Sequence, residues 1–189
     1  MAVTITLTEL GGVRVNSPKL FNDEFLKPMQ YGLLLTDGSF DSKSRPEMST
    51  TQLWQSVAWL MAWPGRNHVF IDGLSINDDD VRIKWHLIAT DYKGAIESKA
   101  RIAEEVLKLG DETFTMFLLF AILGDGDVNV KEKRVRLTIG DSKYVLWSGI
   151  IDRMGGAWAL RITVMNTRKK SSFTLQGLLC WPRNGLAIN

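Results

Sequence analysis

Residues 31–38 read YGLLLTDG, and residues 120–126 read FAILGDG. Each segment is apolar, delivers one carboxylate and then stops at glycine, the residue that most often follows a helix. One such helix end would say little. Two of them, 88 residues apart in a chain of 189, predict a duplicated unit with one acidic residue in each copy. Asp37 and Asp125 are therefore the first candidates for functional residues.

The duplication extends downstream of these two segments. When the sequence is shifted by 88 residues, the following positions match: Val57-Ala58-Trp59 with Val145-Leu146-Trp147, Lys43 with Lys131, and Thr50 with Thr138. The match of one tryptophan with another is the most informative because tryptophan is rare. The period is longer than that of solenoid repeats and there are only two copies, so the pattern favours a pair of fused units over an array.

Composition and charge bound the class of protein. With 45% hydrophobic and 23% charged residues, the chain has the composition of a globular protein with a substantial core. The lone Cys180 excludes an internal disulfide and a cysteine cluster for zinc. The first residues lack the pattern of a signal peptide, and the longest apolar run, near 114–123, is too short to span a bilayer. We therefore expect an intracellular protein of the cytoplasm or nucleoid that is neither secreted nor bound to a membrane.

The charge is unevenly distributed along the chain. The net charge is only +2, but residues 127–189 hold eleven Lys or Arg and four Asp or Glu. A basic second half is typical of a protein with a polyanionic partner. Ordinary variation of surface charge explains the same numbers, and charge alone leaves the two interpretations level.

Alternation and breaks in the sequence predict the same series of elements in each half. In the first half they predict a helix from Asn22 to Thr36 that Pro28 either kinks or shortens, a hairpin within 39–52, a helix over 53–63, strands over 68–71 and 81–87, and a helix over 94–109. In the second half they predict a helix over 112–124, a hairpin over 128–139, a helix over 142–154 that Gly155-Gly156 breaks, a strand over 158–164, and a strand or helix over 172–181. Antiparallel pairs between helices indicate an α+β fold with a sheet in each half.

These residues resemble the LAGLIDADG homing endonucleases of the single-chain type, which carry two motifs. Residues 30–38, QYGLLLTDG, fit the nine-residue motif and include its third-position glycine. Residues 118–126, LLFAILGDG, fit less well because Phe120 stands where the family prefers glycine. On this resemblance we divide the chain into an N-terminal arm (1–21), a first half (22–111) and a second half (112–189).

The resemblance implies a pseudo-two-fold pair of αββαββα units. The two motif helices would pack at the centre, and two four-stranded antiparallel sheets would form a saddle over the major groove of double-stranded DNA. The implied activity is that of a monomeric, intron-encoded, site-specific endonuclease that cuts both strands with Mg²⁺ or Mn²⁺. A non-cleaving relative, either an RNA-splicing maturase or a DNA-binding regulator, is the alternative.

The resemblance places the metal site at Asp37 and Asp125 with Thr36 and Gly124, the residues that precede them. Metal held by carboxylates activates water and stabilises charge at phosphorus, and Mg²⁺ needs few protein oxygens. Both aspartates could instead be plain helix-end residues. However, the helix macrodipole disfavours a carboxylate at a C-terminus, so finding one there twice favours a function.

One departure concerns a lysine that active members of the family usually carry at the start of the helix after the second strand of a half. Leu53 and Asp141 stand at those positions here. Lys143, two residues beyond Asp141, is the best substitute and is our third catalytic candidate. Lys43 and Lys131 are the alternatives.

The candidate DNA contacts are basic residues on strands and turns. Along residues 81–87 apolar and basic side chains alternate, and a β-ribbon of this kind fits the major groove. A plain solvated face is the alternative, and His68 and His86 lack the spacing of metal ligands. The candidates are Lys43, Arg82, Lys84, His86, Lys131, Arg134, Arg136, Arg161, Arg168 and Lys169.

Overall fold

The structure is a computed structural model. It describes residues 3–5, 12–76, 81–96, 98–129, 131, 134–139, 143–158, 161–167 and 170–176. The chain divides into two compact units, unit 1 (Met1–Asp125) and unit 2 (Gly126–Asn189). No helix among the described residues is long and apolar enough to cross a bilayer. The division of the sequence into halves at 111/112 stays a prediction.

Among its described residues, unit 1 contains four α-helices and six strands. In chain order they are β1 (Val3–Ile5), β2 (Val13–Ser17), α1 (Asp23–Leu35), β3 (Gly38–Phe40), β4 (Pro46–Thr50), α2 (Leu53–Ala62), β5 (Gly65–Ile76), β6 (Val81–Ala89), a 3-10 turn (Thr90–Tyr92), α3 (Lys99–Val106) and α4 (Asp111–Asp125). The predicted order of helices and strand pairs is confirmed for this unit. The predicted helix over 94–109 is shorter than expected, because a 3-10 turn follows β6 and Ser98 caps α3 only at Lys99.

Helix α1 starts where the sequence predicts and runs through its proline. The Asn22 side chain accepts a hydrogen bond from the Phe25 amide at 3.1 Å, which caps the first turn. Pro28 lies inside the helix without ending it. The helix tolerates Pro28 because α1 is buried along most of its length, including the side chains of Leu33, Leu34 and Leu35. Tertiary packing therefore outweighs the local cost of proline.

The antiparallel sheet of unit 1 has six strands where four were expected. Four of them follow the order β5-β6-β4-β3. Strands β1 and β2, from the N-terminal arm, both pair with the outer edge of β5, β2 at residues 65–69 and β1 at residues 74–76. The 12-residue β5 is long enough to take both, and covering its edge removes unpaired backbone groups.

Unit 2 contains one helix and a four-stranded antiparallel sheet among its described residues. The elements are β7 (Gly126–Asn129), β8 (Arg134–Thr138), α5 (Tyr144–Trp158), β9 (Arg161–Thr167) and β10 (Lys170–Gln176), and the strand order is β7-β8-β10-β9. The expectation that Gly155-Gly156 ends the helix is wrong, since α5 continues to Trp158. Glycine inside a helix costs only about 1 kcal/mol, which packing can offset.

The two sheets repeat the same order of corresponding strands with a shift of one residue in register. In unit 1 Gly38 lies opposite Met48, whereas in unit 2 Gly126 lies opposite Leu137, one position further than a shift of 88 predicts. Met48 and Leu137 are both buried, so they are structural counterparts. The predicted match of Thr50 with Thr138 is therefore displaced by one residue, and the buried Ile139 takes the place of Thr50.

The two matched tryptophans lie in corresponding helices, Trp59 in α2 and Trp147 in α5. Trp59 and Trp147 are both fully buried, while the residues two positions before them, Val57 and Val145, are 49% and 82% exposed. In unit 1 the Trp59 indole donates to Asn67 Oδ1 at 3.3 Å, and Asn67 Nδ2 donates to the Trp63 carbonyl at 2.7 Å. This buried network connects α2 to β5 and fixes the end of α2 against the sheet.

Candidate functional site

Helices α1 and α4 pack backbone to backbone in unit 1. A Cβ atom added at Gly32 would lie 2.5 Å from the Phe117 carbonyl oxygen and 2.7 Å from the Ala121 nitrogen. Only glycine permits an approach this close. The contact predicted from the two motifs is thus confirmed. At this contact Gly32 provides the space that Phe120, in the corresponding position of α4, does not.

A second close approach brings the C-terminal ends of these helices together. A Cβ atom at Gly124 would overlap the side chain of Thr36. Thr36 is 2% exposed, and its hydroxyl donates to the carbonyl oxygens of Gly32 at 2.9 Å and Leu33 at 3.1 Å. These bonds hold the threonine side chain against the last turn of α1. Asp37 and Asp125, which directly follow the two touching residues, therefore leave α1 and α4 from neighbouring positions, and both are partly exposed.

Gln55 connects the two helix ends through its side-chain amide. Its Nε2 donates to Asp37 Oδ2 at 2.9 Å, to the Gly124 carbonyl at 2.5 Å and to the Leu123 carbonyl at 3.2 Å. Gln55 is only 6% exposed and lies in the first turn of α2. Its Oε1 accepts a hydrogen bond from the Thr50 hydroxyl.

Sequence reasoning missed Gln55 although a usable signal was present. The position at which the family usually carries its lysine aligns with Leu53, two residues earlier. A shift of 88 places Gln55 on Lys143, and the neighbouring Val57 and Trp59 match Val145 and Trp147 with the same shift. Lys143, which is partly exposed just before α5 in unit 2, therefore occupies the sequence position that corresponds to Gln55.

Lys99 is a second residue that the sequence did not reveal. Its Nζ donates to the carbonyl oxygen of Gly38, the residue after Asp37, at 2.6 Å. The two residues are 61 positions apart in the sequence, so no local sequence pattern predicts the contact. Lysine at the first position of a helix is disfavoured by the macrodipole, which suggests that Lys99 is kept there for the contact with Gly38. A cationic group thus lies beside the end of α1.

Two predicted DNA contacts on β6 are paired with carboxylates of the same sheet. Lys84 Nζ lies 2.6 Å from Asp72 Oδ2, and this hydrogen bond lowers the pKa of Asp72 below its ordinary value. His86 Nε2 lies 3.1 Å from Glu47 Oε2, and its Nδ1 lies 3.0 Å from the Ser49 hydroxyl. Lys84 is therefore paired with a carboxylate and His86 is hydrogen-bonded to one, whereas the sequence predicts a purely basic face.

The His86 ring also takes part in an aromatic stack. It lies parallel to the Phe70 ring, with 4.5 Å between the centroids. Stacking, together with the bonds to Glu47 and Ser49, holds the imidazole in one orientation on the sheet.

The remaining candidates are exposed or fall at least partly outside what the structure describes. Arg82, Lys43 and Lys131 are exposed. Arg134 and Arg136 belong to β8 and Arg161 to β9, but their side chains are outside the described part. Arg168 and Lys169 fall outside the described residues altogether. Of the predicted site residues, the structure brings together those at the ends of α1 and α4.

The atoms around Asp37 suit a hard cation in type. Among the described residues, no group of three or more His, Cys, Asp or Glu could hold a metal ion. The oxygens that surround the Gln55 amide, one carboxylate and two main-chain carbonyls, are nevertheless the ligand types that Mg²⁺ and Ca²⁺ accept. The amide hydrogens mark the place among these oxygens where positive charge is favoured. These three oxygens are therefore suitable ligands for the metal that the resemblance implies, and the Gln55 amide donates to all three of them.

Comparison with known proteins gives the fold. No protein-family model matches the chain, and neither does the sequence of any curated protein. The crystal structure of the N-terminal LAGLIDADG domain of DUF199/WhiA aligns with a TM-score of 0.56 and 10% identity, over 83% of this chain and 78% of that one. This chain has a LAGLIDADG-type fold. Homing endonucleases share it.

Two homing endonucleases align over most of their length. I-DmoI, in complex with DNA and Ca, gives a TM-score of 0.52 and 14% identity over 82% of this chain and 85% of its own. I-WcaI, bound to its DNA recognition sequence, gives 0.50 and 12% identity over 81% and 76%. At such identities the LAGLIDADG likeness concerns the fold alone, so function has to be argued from the residues of this chain.

Proposed function

We propose that the protein is a site-specific endonuclease that binds double-stranded DNA and hydrolyses a phosphodiester in each strand with divalent metal ions. The observation that carries this proposal is the Gln55 side-chain amide, which donates both to the Asp37 carboxylate and to the Gly124 carbonyl, immediately before Asp125. Both LAGLIDADG motifs thus end at one place. Similar structures include homing endonucleases bound to DNA, which supports the choice of partner.

The metal site would use the oxygens at the helix ends. Asp37 and Asp125, with the main-chain carbonyls of Thr36 and Gly124, would hold Mg²⁺ or Mn²⁺, which supplies an activated water and stabilises charge on the phosphate. The protein's own part is to hold these oxygens in place. The close packing at Gly32 and Gly124 does so from rigid helices, which position a site more accurately than loops.

Two lysines are proposed to assist on the phosphate side. Lys143 corresponds in sequence to Gln55, whose side chain touches Asp37, so we assign Lys143 the equivalent place in the second half. Lys99 adds positive charge beside Gly38. Preorganised cationic groups stabilise the charge that develops on a reacting phosphate.

DNA binding is proposed to use both sheets, with the stronger electrostatic contribution from unit 2. Residues 127–189 carry the excess of Lys and Arg, whereas on β6 of unit 1 both Lys84 and His86 face carboxylates. We further propose that the two halves are related by a pseudo-two-fold axis and that the protein is intron-encoded and acts inside the cell as a monomer.

A second function, DNA or RNA binding without cleavage, is favoured by a specific observation. The Gln55 amide donates to Asp37 Oδ2 and to the Gly124 carbonyl, so a neutral hydrogen-bond donor already connects the two helix ends. The similarity to a LAGLIDADG domain of WhiA shows the fold in a protein that is not named as an endonuclease. A regulator or a splicing maturase would fit this arrangement.

The experiment that separates the two functions starts from the target sequence. Duplexes that the protein retains from a randomised pool give the recognition site, and labelled copies of that site are then incubated with protein and either Mg²⁺ or chelator. The endonuclease proposal expects cutting of both strands only with Mg²⁺. Asp37→Asn should bind but not cut, while Asp152→Asn, on the exposed surface of α5, should act like the parent. Tight specific binding with no cutting in any metal would select the second function.

A further inference from the structure

The amide of Gln55 has a single chemically sensible orientation. Its NH₂ group carries two hydrogens and faces three acceptors, which are Asp37 Oδ2 and the carbonyls of Leu123 and Gly124. A flipped amide would place Oε1 against those three oxygens.

The surroundings of Thr50 fit the same orientation. The backbone N–H of Gln52 donates to the Thr50 hydroxyl oxygen at 3.0 Å, and the hydroxyl donates its own proton to Gln55 Oε1. Thr50 and Gln55 are both buried, which makes an unsatisfied polar atom at either position costly.

The same oxygens cannot serve the amide and a metal ion at once. Mg²⁺ binds oxygen at about 2.0–2.1 Å and demands near-octahedral geometry. An ion shared by Asp37 and the Gly124 carbonyl would lie in the space that Gln55 Nε2 occupies between them. Repulsion between the ion and the amide hydrogens would add to the overlap.

We propose that the Gln55 amide is a neutral, exchangeable placeholder for a divalent cation at the ends of α1 and α4. In the metal-free protein it ties Asp37 to the end of α4, and a hard divalent ion that binds these oxygens displaces it. This inference rests on the metal site of the proposed function. It predicts that Gln55 stabilises the metal-free protein and weakens its affinity for metal.

The test measures metal binding and stability in the full chain without DNA. Mn²⁺ affinity is measured by electron paramagnetic resonance, and the thermal midpoint is measured with chelator and with saturating Mn²⁺. For Gln55→Ala, loss of a competing hydrogen-bonded group should raise Mn²⁺ affinity roughly three- to tenfold. Its midpoint in chelator should fall, and saturating Mn²⁺ should raise that midpoint more than it raises the parent's.

Gln52→Ala is the matched control. Gln52 precedes the same helix, is exposed and makes no side-chain cap bond, so its replacement should leave Mn²⁺ affinity unchanged. Gln55→Glu provides a second variant, because an added carboxylate should raise Mn²⁺ affinity further. Weaker or unchanged Mn²⁺ binding in Gln55→Ala, or no binding in both parent and variant, would overturn the proposal.

The parent protein allows the same test if the variants fail to fold. Diamagnetic Ca²⁺ is titrated while the side-chain NH₂ resonances of Gln55 are followed by NMR. Displacement predicts that they move to the positions of a solvent-exposed amide, whereas unchanged resonances at saturating Ca²⁺ would refute it. None of these readouts is cleavage. A protein that exchanges Gln55 for metal but cuts no DNA would defeat the endonuclease proposal and leave this one standing.

Discussion

At the scale of single residues, the packing of α1 against α4 depends on two glycines, which have no side chain. Gly32 and Gly124 let two helices meet where any Cβ atom would collide with Phe117, Ala121 or Thr36. The sequence showed both glycines as parts of a motif. It could not show that Gly32 compensates for Phe120, because that depends on which faces meet.

Replacing either helix-contact glycine by alanine should destabilise unit 1. Overpacking of this kind typically costs about 1–3 kcal/mol, and in Gly32→Ala the obstacle is main chain that cannot rotate away. Urea denaturation measures the loss. Gly110→Ala is the control, because a Cβ atom there would find nothing nearer than 3.9 Å. Equal stabilities of Gly32→Ala and Gly110→Ala would contradict the close packing of α1 and α4.

The turn before β4 gives a prediction about pH. Burial raises the pKa of Asp41, but the hydrogen bonds from the Arg45 side chain and backbone and from the Lys43 backbone together lower it below its ordinary value. A carboxyl with a lowered pKa contributes stability above its unfolded pKa, near 4, and that contribution is lost as pH falls through the folded pKa. Asp41→Asn should therefore be less stable than the parent at pH 7, and the difference should shrink below about pH 4. Parallel curves of unfolding free energy against pH would rule this out.

At the scale of elements, local sequence signals identified most helices and strands, and tertiary contacts decided the rest. The Asn22 cap and the alternation along β6 lie in neighbouring residues, so they can be read directly from the sequence. The two extra strands on β5, the continuation of α5 through Gly155-Gly156, and the one-residue shift at Leu137 all depend on distant pairing. For the same reason Asp37 could be predicted as a site residue and Gln55 could be found only through the repeat, whereas the contact from Lys99 to Gly38 could not be predicted.

The two sheets should differ in what they contribute to DNA binding. On β6, Lys84 already faces Asp72, so the double variant Arg82→Ala/Lys84→Ala should lose less affinity than Arg134→Ala/Arg136→Ala in β8. Each lost phosphate contact lowers the salt slope by about one unit. Fluorescence anisotropy over a series of salt concentrations measures both quantities.

Asp72→Asn is the complementary variant. It releases Lys84 from its carboxylate partner and should strengthen DNA binding while increasing the salt slope. If Asp72→Asn weakens binding, or if the β8 double variant binds as tightly as the parent, the electrostatic assignment of the two sheets is wrong.

At the scale of the whole molecule, the duplication is imperfect at the proposed chemical centre. Each half contributes one motif aspartate, but Gln55 of the first half, which contacts Asp37, corresponds in sequence to Lys143 of the second half. A cation stabilises developing charge on a phosphate better than a neutral amide does. The two DNA strands should therefore be cut at unequal rates, and Lys143 should serve the faster one.

Strand-resolved cleavage kinetics test this asymmetry. With each strand of the recognition site labelled separately, Lys143→Gln should slow the faster cut by roughly 10²-fold, typical for loss of one charge-stabilising group, and bring the two rates together. Asp37→Asn and Asp125→Asn should each stop both cuts, because the two strands depend on one shared centre. Lys131→Ala tests the alternative lysine, which is exposed and lies in the turn between β7 and β8. Asp152→Asn, on the exposed surface of α5, is the control. Should Lys131→Ala slow the faster cut while Lys143→Gln does not, the lysine role would pass to Lys131 and the correspondence of Lys143 with Gln55 would carry no catalytic meaning.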